Sequence, residues 1–111
     1  KSLLGHHLRG RVSAALGTHT HIPTADEHIM PPGTAFICDV GMTGPYDSVL
    51  GRRVDRVLHT SITFEPTAFD VAEGDVRLCG AIVEIDETTG RATHIERLRF
   101  HESDLPPTTS K

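Results

Sequence analysis

The apolar positions change their period several times along the chain. Leu3, Leu4 and Leu8 recur at helical spacing and stop at Gly10, which predicts a helix already under way at the first residue. RVSAALG (11–17) has an apolar run without polar alternation, the pattern of a short strand buried on both faces. PTADEHIMPPGTA (23–35) is punctuated by Pro23, Pro31, Pro32 and Gly33 and predicts a loop, with one helical turn after Thr24. AFICDVG (35–41) predicts a second buried strand.

GMTGPYDSVLG (41–51) is rich in turn formers, and the pattern predicts a structured loop rather than a strand. Over 52–62, Val54, Val57, Leu58 and Ile62 fall on one helix face. From about Thr67 the period becomes strand-like in AFDVA, VRLCGAIVEID and ATHIERLRF. DETTGRA joins the last two and offers Gly90 for a left-handed turn position, so 77–100 reads as a β-hairpin. The tail HESDLPPTTSK lacks apolar periodicity, and disorder is expected over 105–111. No internal repeat is visible.

Length and charge narrow the possibilities. A chain of 111 residues is one small domain at most, with a modest core. The net charge of -4, without a basic run, argues against a dedicated nucleic-acid surface but leaves room for a small phosphate-bearing ligand. No apolar run approaches the roughly 20 residues of a membrane-spanning helix. Cys38 and Cys79 match no zinc spacing, and no signal-peptide pattern precedes them, so they read as reduced, buried thiols of a cytoplasmic protein. The start in mid-helix, without a methionine, leads to the expectation of a chain cut from something longer.

Eight histidines are an excess for this length, and histidine is the commonest protein ligand of transition metals. His19 and His21 stand one residue apart where a strand is expected to end. In extended backbone, residues i and i+2 point to the same side about 7 Å apart, close enough to serve one metal ion or two adjacent ones. Gly17 allows close backbone approach, and the hydroxyls of Thr18 and Thr20 flank the pair. A solvated strand end is the competing reading. Two imidazoles are also too few for a catalytic centre, which takes three or more protein ligands. In the glycine-rich loop, Thr43, Tyr46 and Ser48 could line a substrate pocket or a subunit contact, but a tightly turned connection is the stronger reading. Capping or turn roles are expected for Asp39 and Asp47.

The motifs G-T-H-T-H-x-x-T-A-D, D-V-G-M-T-G-P-Y-D-S-V and V-A-E-G-D-V, in this order and spacing, resemble the C-terminal part of the YmdB-type branch of the calcineurin-like metallophosphoesterases, over roughly residues 1–100. The resemblance implies an α/β fold, the C-terminal part of a four-layer αββα sandwich with a mixed β-sheet and short helices, over 1–104. It implies a hydrolase, a metal-dependent phosphodiesterase or phosphatase acting on 2',3'-cyclic nucleotides through a hydroxide activated by two iron or manganese ions. His19 would then be a ligand of the second metal and His21 of the first; His6, His7, His28, His59, His94 and His101 match no ligand position. The family's N-terminal half carries the other ligands and a catalytic histidine, none of which occurs here. The expectation is therefore a fragment inactive and poorly stable alone, with a small phosphodiester or nucleotide as substrate, no membrane partner, and a homo-oligomer as one possible assembly. Two other classes remain: a non-catalytic interaction or oligomerisation module with open strand edges, and a simple metal-binding domain recruiting His28 or His6.

Overall fold

The computed structural model describes residues 1–104. It is mixed α/β, with two helices and two three-stranded sheets. Helix α1 (Ser2–Leu8) leads into strands β1 (Ala14–Leu16), β2 (His28–Met30), β3 (Thr34–Ile37) and β4 (Gly44–Asp47). Helix α2 (Val54–Thr63) precedes the hairpin strands β5 (Gly74–Ile85) and β6 (Ala92–His101), and a 3-10 turn covers Glu102–Asp104. The tail expected to be disordered, 105–111, lies outside the described residues.

Backbone contacts divide the described residues into two compact units, one of Lys1–Met42 with Cys79–Leu98, the other of Thr43–Leu78 with residues 99–104. In the first, β3 is the central strand, parallel to β1 and antiparallel to β2. All four of its residues are buried, as its apolar run predicts. Ala35 and Ile37 join Ala92 and Ile95 of the hairpin in the core, with Ala14, Ile29, Val40, Ala81 and Val83 packed around them. Helix α1 lies against Phe36 by virtue of Gly5, where a Cβ would stand 2.5 Å from the ring.

In the second unit β4 pairs antiparallel with β5, Gly44 opposite Arg77 and Asp47 opposite Gly74. Helix α2 forms where the apolar spacing places it and ends in a left-handed residue, Phe64, at φ 59°. Its apolar stripe is poorly covered, with Ile62 73% exposed. The hairpin turn also follows the reading of Gly90, which sits at φ 73° and donates its amide to Asp86 O at 2.7 Å.

Several expectations are corrected. β1 is shorter than 11–17 and is not buried on both faces: it is an edge strand, and Leu16 is half exposed. The segment read as a loop with a helical turn after Thr24 contains β2, drawn out by pairing with β3; the Thr24 hydroxyl bonds Asp26 and the Asp39 amide instead of starting a helix. The glycine-rich loop contains β4, where Pro45 is tolerated because the strand is at a sheet edge. AFDVA is not a strand; Val71 makes only an isolated bridge to Arg52. Cys38 and Cys79 are half-buried rather than buried, and they are not joined in a disulfide.

Candidate functional site

β1 and β3 run parallel, and the chain leaving β1 folds into a loop, 17–24, fastened at both ends to the segment that leaves β3. At the near end Gly17 N donates to Ile37 O at 3.0 Å and Val40 N to Gly17 O at 2.9 Å. No side chain fits there, because a Cβ on Gly17 would lie 1.8 Å from the Cys38 carbonyl oxygen. The close approach that this glycine permits is thus to the neighbouring strand. At the far end Thr24 N donates to Asp39 O at 3.0 Å, and Pro23 bridges to Val40.

His19 and His21 stand inside this loop, both exposed, at φ 115° and φ 66°. Neither is extended, so the strand alternation expected to align the two imidazoles does not apply: β1 has ended at Leu16, and a bend follows. A φ near 66° is the left-handed region that histidine visits at modest cost; 115° lies outside it and costs on the order of 1–3 kcal/mol. Such backbone persists only where its surroundings over-determine it.

The over-determining group is Asp39, 1% exposed at the end of β3. Its Oδ2 accepts from the Thr20 amide and the Thr20 hydroxyl, both at 2.7 Å, and from Lys1 Nζ at 3.4 Å; its Oδ1 accepts from Gly41 N at 2.9 Å. Lys1 Nζ also donates to the Thr18 carbonyl. Burial pushes the Asp39 carboxyl up, but the bonds from the Thr20 hydroxyl, the Gly41 and Thr20 amides and Lys1 together outweigh it and hold it at about 2. A second layer supports this one. The Thr24 hydroxyl donates to Asp26 Oδ1 at 2.6 Å and accepts from Asp39 N at 3.0 Å, while Asp26 Oδ1 also accepts from Cys38 N at 3.1 Å.

The residue between the histidines is therefore nailed to a buried carboxylate, and the histidines are displayed on either side of it. Thr20 is occupied with Asp39, and Thr18 offers Lys1 its carbonyl. The turn role expected for Asp39 is met by its bond to Gly41, but the larger part, as anchor of the histidine loop, was not foreseen; the available signal was a lone carboxylate closing an otherwise apolar strand. Asp47 ends β4.

Imidazole is a suitable donor for iron, whereas manganese favours oxygen donors, so the pair fits an iron-type centre by donor chemistry but not by number. Among the described residues no group of three or more His, Cys, Asp or Glu side chains could hold a metal ion. His28 does not complete one: its Nδ1 lies 2.6 Å from Asp26 O, and its ring packs edge-on to Phe36.

Thr43, Tyr46 and Ser48 belong to the other compact unit. Ser48 Oγ donates to Pro45 O at 2.7 Å and accepts from Gly51 N at 2.9 Å, which closes the turn after β4. The Arg77 guanidinium lies over the Tyr46 ring, 4.7 Å from its centroid. No helix among the described residues is long and apolar enough to cross a membrane.

Comparison with known proteins bears on this loop. Residues 1–98 match the family described as YmdB-like protein. The chain is 46% identical over 105 residues to the 2',3'-cyclic-nucleotide 2'-phosphodiesterase of Bacillus subtilis, an alignment that covers 95% of this chain and 40% of that protein. A hypothetical protein from Thermus thermophilus superimposes with a TM-score of 0.85 at 40% identity, over 92% of this chain and 40% of that one. A structure titled as a novel phosphatase of Mycoplasma pneumoniae gives a TM-score of 0.85 at 33% identity, over 90% and 36%. The chain thus spans about two fifths of the length of the relatives it resembles.

Proposed function

The chain belongs to the YmdB-like family, and on that premise we propose that it supplies the histidine loop of a metal-dependent phosphodiesterase acting on 2',3'-cyclic nucleotides. The observation that carries the reading is the loop itself: two exposed imidazoles on positive-φ backbone, held there by a buried carboxylate. Similarity to the 2',3'-cyclic-nucleotide 2'-phosphodiesterase of Bacillus subtilis supports the substrate class.

In this reading His19 and His21 each give one nitrogen to one of two iron or manganese ions. When bound, such ions acidify water and offset charge on the phosphoryl oxygens. What this chain's residues do is narrower. Asp39 fixes Thr20, and Thr20 fixes the separation of the two imidazoles, so the donors need little rearrangement on binding. The Thr18 and Thr20 hydroxyls stand beside the ligands. The loop of Thr43, Tyr46 and Ser48 acts as a tightly turned connection, which Ser48 keeps in shape. The setting is cytoplasmic. With two ligands and no third donor beside them among the described residues, these 111 residues alone bind metal weakly and do not turn over.

Elemental analysis of the purified chain after equilibration with manganese or ferrous ion, with bis-p-nitrophenyl phosphate as substrate, tests this. The expected result is substoichiometric metal, further reduced by His19→Ala or His21→Ala, and no hydrolysis. Two tightly held ions with turnover would overturn the partial-site reading. Metal uptake indifferent to both substitutions would overturn the ligand assignment.

A further inference from the structure

Away from the histidine loop, the first unit carries a polar cleft of about 360 Å³ at the opposite ends of the same strands. Gly10, Arg11 and Ser13 from the approach to β1, Gly33 from the approach to β3, and Thr89 and Arg91 from the hairpin turn line it. No carboxylate does. That is unusual for a chain with a net charge of -4. Four other arginines are neutralised by carboxylates: Arg53 and Arg77 donate to Asp55 and Asp75 at 2.7 and 2.6 Å, Arg56 lies 3.9 Å from Asp70, and Arg97 pairs with Glu27. Among the described residues neither Arg11 nor Arg91 has a carboxylate partner. Asp86, on the same turn as Arg91, is committed to the amides of Thr88 and Thr89 at 2.8 and 3.4 Å.

The two arginines come from different segments, and their spacing is built. Ser13 Oγ donates to Gly90 O at 2.5 Å, and Ala92 N donates to Gly33 O at 2.7 Å, so all three segments are tied together at the cleft. Gly33 lies so close to the Arg91 stem that a Cβ there would be 2.6 Å from the Arg91 Cβ. The stem is therefore fixed on one side by backbone. Two guanidinium forks, permanently charged and unneutralised, at the rim of one small cleft suit a multiply charged oxyanion with several acceptor oxygens. The cleft is a separate place from the histidine loop, since Arg11 and Ser13 precede β1 and Gly33 precedes β3, whereas His19, His21 and Asp39 follow the far ends of these strands.

We propose that this cleft is a phosphate-binding site, with Arg11 and Arg91 as its two recognition groups. Its occupant is either free phosphate or the phosphate group of a small metabolite such as a nucleoside monophosphate.

Isothermal titration of the chain with inorganic phosphate, at low chloride, is the test. One saturable site is expected. Arg11→Gln and Arg91→Gln should each weaken it at least 10-fold, whereas Arg91→Lys, which keeps charge but loses the fork, should weaken it less. His19→Ala should leave it unchanged. Far-ultraviolet circular dichroism on each variant separates lost binding from lost folding, and Arg91→Lys keeps the comparison open where a glutamine variant does not fold. Parallel titrations with adenosine 3'-phosphate and adenosine distinguish the sources: a nucleotide tighter than phosphate points to a metabolite, equal affinity to the free ion. No saturation at millimolar phosphate overturns the proposal. So does binding that survives both arginine substitutions, or binding lost in His19→Ala.

Discussion

Replacing Asp39 by asparagine tests whether the histidine loop is held by charge. The substitution keeps size and removes one acceptor, so the new amide group must face donors: the Thr20 amide and hydroxyl lie on one carboxylate oxygen and the Gly41 amide on the other. Holding the carboxyl at about 2, against 3.8 for the free side chain, corresponds to roughly 2 kcal/mol of folding free energy at about 1.4 kcal/mol per pKa unit. Little of this belongs to Lys1, whose 3.4 Å contact uses a side chain 36% exposed to solvent. The expected loss in Asp39→Asn at neutral pH is therefore about 2 kcal/mol. Because the folded-state pKa is depressed, the stabilisation is fully present above pH 3.8 and fades as pH falls through about 2. Urea titrations of both proteins at several pH values measure the difference between them, in which carboxylates common to both cancel. The gap should be constant from neutral pH to about pH 5 and narrow between pH 4 and pH 2.5. A gap below about 0.5 kcal/mol at pH 7, or one unchanged at pH 2.5, would refute the anchoring argument.

Other perturbations give sharper contrasts. Gly17→Ala should cost about 3 kcal/mol or more, since its methyl would stand 1.8 Å from a backbone oxygen, and retention of a normal melting temperature would contradict that packing. Gly80→Ala meets nothing within 4 Å and should be neutral or stabilise by about 0.5–1 kcal/mol in the same melting assay. Ile37→Ala empties a fully buried position at the end of β3, the central strand of its sheet, and should cost about 2–5 kcal/mol by urea denaturation.

What the sequence made legible is what local pattern can encode. Helix α1, the all-buried β3, helix α2 and the long hairpin announce themselves through spacing, an unbroken apolar run and a glycine at the turn. β2 and β4 do not, because strands of three and four residues exist only through their partners. His28–Met30 is extended because β3 offers it hydrogen bonds, and Gly44–Asp47 because β5 does. β1 was overextended for the converse reason: its apolar run is real, but an edge strand has one neighbour, so its second face is not covered.

The histidine motif shows the same limit at the scale of a site. The spacing T-H-T-H was visible, and strand periodicity was the available explanation for it, yet the loop is not a strand. Thr20 is held by Asp39 across 19 positions, and Lys1 reaches Asp39 across 38. No local period encodes such contacts. Once they are known, the motif reads differently. A threonine between two histidines satisfies a carboxylate with two donors at once, its amide and its hydroxyl, both at 2.7 Å. A serine there would keep both donors but lose the methyl that restricts its rotamer, and an alanine would keep only the amide. If the imidazoles are ligands, the precision of their placement resides in the residue between them, so Thr20→Ala should loosen metal uptake while both histidines remain in place.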